Sequence, residues 1–543
     1  MVNSTFKISK PINEPMLSYK PGSPEKKELK SKLAQMKNYQ IEIPILIGGK
    51  EIKTGDLADC RCPHDHNHVL GRYHKAGEKE VRMAIDAALQ ARKTWAEMDQ
   101  EARFSIFLKA ADLLAGPWRA LMNAANMLNA SKTIYQAEID SACELTDFYR
   151  FNPYYAQEIY KQQPDSSKAN WNCMEYRPLE GFVFAVTPFN FASITGNLPT
   201  SPAIMGNVVL WKPASSTVYV AYHIMKLLQA AGLPDGVINM VPGSGGLVGN
   251  PVIASPFLAG VHFTGSTAVF QGIWKTIGAN IANYKAYPRI VGETGGKDFI
   301  FMHRSADIDE TATAMVRGAF GYQGQKCSAV SRVYVPKSVW PKLKKRVLEM
   351  VNQIKMGSPE DFTNFMCAVV DSSAFRTISR YIDFARKASE ARLLCGGNYD
   401  DSKGYFIEPT IIEVSDPKFK TMQEEIFGPV LSIYVYPDKE YEKTLHLCDE
   451  TSPYALTGSI FAKDRAAIVL ASHILRNAAG NFYINDKPTG AVVGQQPFGG
   501  SRASGTNDKA GSIINLQRWV SPRTIKENFL PPKSFEWPHM EEA

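Results

Sequence analysis

Three residues have the types and settings that covalent chemistry on a carbonyl group requires. Cys327 lies in residues 322–333, YQGQKCSAVSRV, where small and flexible neighbours leave room for a substrate to approach the sulfur. A thiol in that setting is a candidate nucleophile, and Glu293, in the segment ETGGK, is a candidate base that activates water. Asn190 adds a side-chain amide that would stabilise an oxyanion.

Each of these residues also has a purely structural interpretation. Cys327 is one of eight cysteines, and a buried, unreactive thiol is the usual state of a free cysteine. The linear sequence does not bring Cys327, Glu293 and Asn190 together, so the chemistry depends on the elements that position them.

Between residues 181 and 293 the pattern of the chain predicts a parallel sheet. Short apolar runs end in turns rich in Pro, Gly, Ser or Thr, and helical patterns at 216–231 and 267–282 lie between them. Strand, turn, helix and strand in this order are typical of βαβ units. The strand candidates are 182–186, 208–211, 237–241 and 261–263.

Ligands of such sheets bind beyond the carboxyl ends of the strands, which makes two turns candidate cofactor sites. Gly265 and Ser266 end a strand and open a helix, where free backbone amides suit a pyrophosphate. The alternative is an ordinary turn in which Ser266 is the N-cap. Lys212 follows another strand and would donate to ribose hydroxyls, or it is a solvated lysine at a strand end.

A second series of strands and helices runs from about residue 298 to about residue 480, which predicts two α/β domains joined near Glu293. Ahead of both, amphipathic patterns predict helices at 78–98, 101–115 and 135–160. The polar, proline-rich residues 515–543 are expected to form an arm. The strand candidates of the second series are 332–335, 393–395, 411–413, 431–435 and 457–461.

Two further segments are weaker candidates for ligand sites. Residues 60–68, CRCPHDHNH, hold two cysteines and three histidines, but their spacings differ from those of structural zinc sites. A surface strand and loop is favoured there, and no metal is expected. Residues 242–246, PGSGG, do not complete a dinucleotide fingerprint, because Val248 holds the position of its last glycine. An ordinary turn is therefore favoured.

Length and composition restrict the class of protein. The chain has 543 residues, and 61 Lys and Arg against 54 Asp and Glu give a net charge of +7. That charge is mild and forms no dense basic block, so nucleic acid is not an expected partner. Neither is a membrane, since no apolar run reaches the ~18–20 residues of a spanning helix.

The expected compartment follows from the cysteines and the first residues. Eight scattered cysteines fit reduced thiols, and residues 1–20 lack the apolar core of a secretion signal. These features predict a cytoplasmic protein. The mitochondrial matrix is the expectation if the source is eukaryotic and the chain is a mature form.

The candidate residues occur in a series of motifs that resembles the aldehyde dehydrogenase family in residue type, order and spacing. The series begins with TPFNF at 187–191, includes the Glu293 and Cys327 segments, and reaches EEIFGP at 424–429. Within the family, the chain looks most like the members that oxidise glutamate γ-semialdehyde, from about Asn13 to about Lys526. The longer matching segments are 136–140, 150–152, 477–487, 489–500 and 502–509.

The resemblance implies a reaction and a role for each matching residue. Cys327 would attack the aldehyde, Asn190 and the Cys327 amide would hold the oxyanion, and Glu293 would activate water that releases the acid. The implied cofactor is NAD, with contacts from Thr187, Lys212, Gly265, Ser266, Glu425 and Phe427. The implied substrate is glutamate γ-semialdehyde, formed from Δ1-pyrroline-5-carboxylate and oxidised to L-glutamate in the second step of proline breakdown. Its implied contacts are Ser328, Gly490, Ala491, Phe191 and Phe498.

The resemblance also implies an architecture. It is an α/β aldehyde dehydrogenase fold with a Rossmann-type NAD-binding domain, an α/β catalytic domain and a small oligomerisation flap. A homodimer or a higher homo-oligomer is the expected assembly. The expected bounds are 1–161 with 179–292 for the NAD-binding domain, 293–485 for the catalytic domain, and 162–178 with 515–543 for the flap and C-terminal arm.

Three questions stay open at this level. A dehydrogenase of another semialdehyde, such as succinate semialdehyde, would not need the 489–498 loop to recognise an α-carboxylate and an amine. A non-catalytic NAD-binding relative would have lost the nucleophile or the base, whereas both are present. Ser215 stands where many NAD-selective members carry a glutamate, so some use of NADP also stays open.

Overall fold

The computed structural model of the protein describes residues 6–542. Two seven-stranded sheets with helices packed around them form its frame. The α-helices are Pro24–Lys37, Glu78–Trp95, Gln100–Ala115, Arg119–Ala130, Ile134–Ala137, Leu145–Tyr160, Ala192–Ile204, Val218–Ala231, Gly245–Ala254, Thr267–Ala279, Ile308–Phe320, Trp340–Val351, Ser372–Lys387, Lys420–Gln423, Tyr441–Glu450, Arg465–Ile474 and Ile513–Gln517.

The first sheet is parallel except at one edge. Its strands, in spatial order, are Arg289–Glu293, Leu258–Thr264, Phe182–Val186, Val208–Lys212, Ile238–Met240, Ile45–Ile47 and Lys50–Ile52. The first five are parallel to one another. Ile45–Ile47 is antiparallel to Ile238–Met240, and Lys50–Ile52 is antiparallel to Ile45–Ile47. Every residue of Leu258–Thr264 and of Val208–Lys212 is buried, as expected for strands that are covered by helices on both faces.

The second sheet is also mainly parallel. Its spatial order is Ala391–Cys395, Thr410–Val414, Val430–Tyr436, Val330–Pro336, Asp298–Met302, Thr457–Phe461 and Asn481–Ile484. Only the first strand is antiparallel to its neighbour. The fold is therefore α/β, as the sequence predicts.

Smaller sheets complete the structure. Strands Ile41–Ile43, Asp65–His74 and Leu57–Cys62 form a three-stranded sheet, in that spatial order. Strands Asn170–Pro178 and Val520–Asn528 form a two-stranded antiparallel ribbon, with Val520 opposite Pro178 and Asn528 opposite Asn170. Two short pairs join Tyr399–Asp400 to Phe406–Ile407 and Tyr454–Ala455 to Ser501–Arg502.

The two large sheets meet at Glu293. This residue ends the edge strand of the first sheet, and Asp298 begins a central strand of the second. The connection is held by the late segment 503–506, because the Thr294 amide donates to the Ser504 carbonyl at 2.9 Å and Gly505 pairs with Glu293. Gly505 has a φ of +139°, which favours glycine, and an added Cβ there would collide with the Gly292 carbonyl. Glu293 thus lies between the two sheets, where the sequence places the join of the two predicted domains.

Most of the predicted elements are confirmed with small shifts of their ends. The predicted helix at 135–160 contains a π-helical segment, Glu138–Glu144. Side chains cap several helices as expected, including Ser266, which accepts from the Val269 amide. The two segments predicted for the flap and arm lie together in the ribbon, and the bounds of the domains stay a prediction.

The prediction of a strand and loop at residues 60–68 is confirmed, but its placement at the surface is wrong for part of the segment. The segment belongs to the hairpin of Leu57–Cys62 and Asp65–His74, and Cys60, Cys62 and His64 are buried. Polar residue types suggested exposure, but the hairpin packs on the buried helix Arg119–Ala130, where the Asn129 amide donates to the Arg61 carbonyl at 3.2 Å. Among residues 6–542, no group of three or more His, Cys, Asp or Glu is placed to hold a metal ion.

Candidate active site

Cys327 lies on the loop between helix Ile308–Phe320 and strand Val330–Pro336 of the second sheet. Its side chain is buried, and its Sγ atom is 3.7 Å from Oε1 of Glu293, to which the thiol donates. Glu293 reaches this position because it ends the neighbouring edge of the first sheet. The fold therefore brings the candidate nucleophile and the candidate base into contact.

The loop that carries Cys327 has a strained but firmly held backbone. Tyr322 and Gln323 have φ values of +54° and +55°, in a region that residues with side chains seldom adopt. Gln323 Nε2 donates to the Ser131 and Ala368 carbonyls at 3.1 and 2.7 Å. Strain of this kind persists where surrounding contacts over-determine the backbone, and it fixes the position of the sulfur.

Asn190 lies beside the same loop. It follows strand Phe182–Val186, and its Nδ2 atom donates to the Gln325 carbonyl at 3.2 Å. A side-chain amide carries two hydrogens, so one remains for an oxyanion formed near Cys327.

A buried ion pair joins the Asn190 segment to the Cys327 segment. Lys132 Nζ is 2.5 Å from Oδ2 of Asp140, and the ammonium is 4.5 Å from the ring centres of both Phe191 and Tyr322. Asp140 also accepts from the Ala192 amide at 2.9 Å, at the start of the helix that follows Asn190. Burial lowers the pKa of Lys132, and the charge of Asp140 opposes that effect.

Burial sets the protonation of the catalytic pair. It raises the pKa of Cys327 well above its ordinary value, and the negative charge of Glu293 raises it further. It also raises the pKa of Glu293 to about 7, against the opposing effects of the thiol hydrogen bond and Lys509. The free protein therefore holds a neutral thiol beside a carboxyl group that titrates near neutral pH, the range in which a general base works well.

The candidate cofactor residues lie at the carboxyl ends of the first sheet and on a facing loop of the second. Gly265 donates its amide to the Glu293 carbonyl at 3.2 Å, and Thr187 accepts from Nε1 of Trp211 at 3.0 Å. Lys212 is buried, and its ammonium donates to the Pro213 carbonyl at 3.2 Å. These turns open onto the N-terminus of helix Thr267–Ala279, which suits a pyrophosphate.

Glu425 and Phe427 occupy the facing loop. Oε1 of Glu425 accepts from the Gly296 amide at 2.9 Å, and burial raises the pKa of Glu425 to about 7. Phe427 has a φ of +58° and meets the ring of Phe189 edge to face, with the centroids 5.7 Å apart. A helix N-terminus and an ammonium at the carboxyl ends of the first sheet, with a carboxylate on the facing loop, fit the phosphates and ribose hydroxyls of a dinucleotide.

A cavity of about 600 Å³ reaches Cys327. Its lining includes Glu293 and all five residues that the sequence implies for the substrate, which are Ser328, Phe191, Gly490, Ala491 and Phe498. Ser328 Oγ donates to Thr489 Oγ1 at 2.9 Å, and Gly490 has a φ of +99°. Of the described residues, Asn190 and the six implied for the cofactor lie outside this lining.

Sequence reasoning missed several charged residues of the cavity. Glu144 lies in the lining, accepts from Ser193 Oγ at 2.9 Å, and has its pKa raised to about 8 by burial and by Asp140. Lys326 also lines the cavity, and burial lowers its pKa to about 7. For Glu144 the sequence offered one signal. Asp140 and Glu144 are four residues apart in the predicted helix 135–160, a spacing that places both carboxylates on one face of an α-helix.

Comparisons with known proteins agree with this geometry. Residues 52–525 match the model of the aldehyde dehydrogenase family. The chain is 54% identical over 536 residues to the mitochondrial Delta-1-pyrroline-5-carboxylate dehydrogenase of Dictyostelium discoideum, which covers 98% of this chain and 96% of that protein. It is 48% identical to the human mitochondrial protein of the same name, over 99% of this chain and 95% of that protein.

Solved structures give the same result. The NAD-bound Delta-pyrroline-5-carboxylate dehydrogenase of Mycobacterium tuberculosis has a TM-score of 0.96 to this chain at 49% identity, and the alignment covers 100% of both chains. Among the described residues, no helix is long and apolar enough to cross a membrane.

The raised pKa of Cys327 predicts slow alkylation at neutral pH. Only the thiolate reacts, so the rate with iodoacetamide should rise roughly tenfold per pH unit through pH 9 without a plateau. Above about pH 7, where Glu293 is ionised, Glu293→Gln removes the adjacent negative charge and should increase the rate. Mass spectrometry of the Cys327 peptide measures the rate, with Cys327→Ala as the background. A plateau below pH 8 would contradict the assigned thiol environment.

Proposed function

Because the chain belongs to the aldehyde dehydrogenase family, we propose that it oxidises glutamate γ-semialdehyde to L-glutamate with NAD. The substrate is the open form of Δ1-pyrroline-5-carboxylate, and the reaction is the second step of proline breakdown. One observation carries the proposal: the cavity that reaches the Cys327–Glu293 pair also has the Gly490–Ala491 loop in its wall.

The residues of the site divide the reaction into two halves. In the first, Glu293 takes the thiol proton, and the Cys327 thiolate attacks the aldehyde carbon. The amide of Asn190 and the backbone N–H of Cys327 donate to the oxyanion of the resulting thiohemiacetal. When bound, NAD accepts the hydride from that carbon, which leaves a thioester on Cys327.

The second half releases the product. Glu293 passes its first proton to solvent and then takes a proton from water, which attacks the thioester carbonyl. The carbon–sulfur bond breaks, the acid leaves, and the Cys327 thiol is restored. A carboxyl group whose pKa is about 7 is suited to both proton transfers.

Most of the candidate cofactor residues lie in the turns at the carboxyl ends of the first sheet. We assign Gly265 and Ser266 to the pyrophosphate region, Lys212 to the adenosine ribose and Glu425 to the nicotinamide ribose. Thr187 and Phe427 are assigned to the walls of the same site. Ser215, near Lys212, carries no charge that would repel a 2′-phosphate, so both NAD and NADP belong in the assay.

The substrate has a charged amino-acid head that the cavity can recognise. The backbone amides of Gly490 and Ala491 and the hydroxyl of Ser328 suit its α-carboxylate. Glu144 suits its ammonium, because an added positive charge would favour the ionised form of that buried carboxyl. We assign the rings of Phe191 and Phe498 to the two sides of the aliphatic chain.

Exposed apolar side chains support a homodimer. Trp274 is 48% exposed on helix Thr267–Ala279, and Tyr287, shortly after it, is 81% exposed. The ribbon adds the exposed Trp171 and Ile525. Apolar patches of this kind mark interfaces, and two copies of one chain usually associate through the same patch on each.

The names of two relatives bear on the compartment. The Dictyostelium and human relatives are named mitochondrial. For this chain we propose the cytoplasm, or the mitochondrial matrix if the source is eukaryotic.

The substrate assignment is tested by steady-state rates of NADH and NADPH formation from Δ1-pyrroline-5-carboxylate and from succinate semialdehyde. The first should have a kcat/KM at least about a hundredfold larger, because only it matches both the carboxylate and ammonium contacts. Cys327→Ala should abolish turnover while NAD binding remains. A preference for succinate semialdehyde would overturn the substrate assignment, and turnover by Cys327→Ala would remove the nucleophile from its role.

The role of Glu293 is tested by its substitution with alanine. Loss of the base should slow release of the acid more than formation of the thioester, so one equivalent of NADH should appear in a rapid burst before slow turnover. Stopped-flow absorbance measures the burst, with the native protein and Glu425→Gln as comparisons. If Glu293→Ala gives slow NADH formation from the first turnover, its role lies in the first half of the reaction.

The dimer surface is tested by the double substitution Trp274→Asp and Tyr287→Asp. Charges placed in an apolar interface lose their hydration, so the mass in solution should fall from dimer to monomer. Light scattering after gel filtration gives the mass. Tyr39→Asp, at a residue that is 70% exposed and far from both positions in the sequence, is the control. An unchanged mass in the double variant would place the interface elsewhere.

A further inference from the structure

An N-terminal segment without helix or strand, residues 6–20, lies along the helical region 134–160 and is here called the strap. Its backbone is held by side chains of that region. The Ile8 amide donates to Gln157 at 2.9 Å, and the Leu17 amide donates to Glu138 at 2.8 Å. These contacts fix the strap between two points on the surface of the helices.

The middle of the strap enters the substrate cavity. Asn13, Glu14 and Met16 are part of the cavity lining that also contains Cys327. The Glu14 amide donates to Oδ1 of Asp147 at 2.7 Å, and the Glu14 carboxylate lies between Arg119 and Arg150, at 2.6 and 2.7 Å. A hydrogen bond therefore fixes the backbone of Glu14 where the strap meets the cavity, and two arginines neutralise its carboxylate.

Asn13 connects the strap to the loop that we assign to the substrate carboxylate. Its Nδ2 atom donates to Oδ2 of Asp147 and to the Val493 carbonyl, each at 2.8 Å. Its Oδ1 atom accepts from Nε2 of Gln495 at 2.9 Å. Both hydrogens and the oxygen of one amide are thus used, and two of the three bonds go to the segment 489–498.

The internal hydrogen bonds of that segment form a single turn, in which the Gln495 and Gln496 amides donate to the Val492 carbonyl, each at 3.0 Å. The segment contains no helix or strand, and Gly490 and Gly494 have φ values of +99° and +80°. Its ends are fixed, by the Ser328–Thr489 hydrogen bond and by pairing of Phe498 with Ala510. In between, the side chain of Val493 packs on Phe148 and Phe151.

We propose that Asn13 is a specificity-determining positioning residue, which fixes the Gly490–Ala491 loop in the conformation that recognises the substrate's carboxylate. The inference rests on the proposed function. Asn13 acts through the loop and takes no part in the covalent steps. Without the Asn13 amide the middle of the loop is less ordered. Binding of a carboxylate must then order it, which lowers the net free energy of binding.

The test compares three aldehydes of one chain length in Asn13→Leu and in the native protein. Glutamate γ-semialdehyde has a carboxylate and an amine, 5-oxopentanoate has the carboxylate alone, and pentanal has neither. Asn13→Leu should raise KM roughly tenfold to a hundredfold for the first two and leave kcat/KM for pentanal unchanged. Thermal unfolding and NAD affinity report whether the fold is intact.

Two further variants keep the test decisive. Gln495→Leu removes only the bond to Oδ1 and should shift KM in the same direction by less, and it serves if Asn13→Leu fails to fold. Ser18→Ala, at an exposed residue of the same strap, should leave all three substrates unchanged. Equal losses for all three aldehydes, or no loss for any, would overturn the inference. Absence of glutamate γ-semialdehyde turnover in the native protein would instead overturn the proposed function.

Discussion

The buried ion pair between Lys132 and Asp140 is the interaction on which the site depends. It holds the start of the helix that follows Asn190 against the loop that precedes Cys327. Asp140 accepts from two backbone amides of that helix, and the Lys132 ammonium lies over one ring from each segment, Phe191 and Tyr322. Removing one partner of such a pair leaves an uncompensated charge in the interior, at a cost of roughly 3–5 kcal/mol. Asn190 and Cys327, which we propose as oxyanion donor and nucleophile, thus depend on the same ion pair for their positions.

Several titratable groups lie buried around that ion pair, and burial disfavours their charged forms. Glu293, Glu425 and Glu144 all have raised pKa values, and Cys327 keeps its proton for the same reason. Carboxyl groups poised near neutral pH exchange protons readily, and they respond to any positive charge that a ligand brings. At neutral pH these buried groups therefore carry less negative charge than exposed carboxylates would, and a positively charged ligand would favour their ionised forms.

The sequence predicted the parts that local patterns specify. Strand Phe182–Val186 and its neighbours are continuous apolar runs followed by turns, and Cys327, Glu293 and Asn190 lie in distinctive segments at their ends. Lys132, Glu144 and Asn13 were missed as site residues, because their roles come from partners far along the chain or across a helix bundle. The burial of Cys60 and His64 was missed for the same reason, since tertiary packing overrode their polar surroundings. The short strand Ile45–Ile47 pairs with its sequence neighbour Lys50–Ile52 and joins the large sheet only through Leu46, opposite the distant Met240, which no local pattern indicates.

Long-range pairing decides when these parts of the structure can form during synthesis. Strand Asn170–Pro178 finds its partner about 350 residues later, and Asn13 finds the loop at Val493 480 residues later. Since chains emerge from the ribosome N-terminus first, the nascent protein exposes the unpaired edge of Asn170–Pro178 until residues 520–528 have been made. The strap likewise waits for residues 489–498, so the proposed substrate site and the ribbon both form only after most of the described residues have been made.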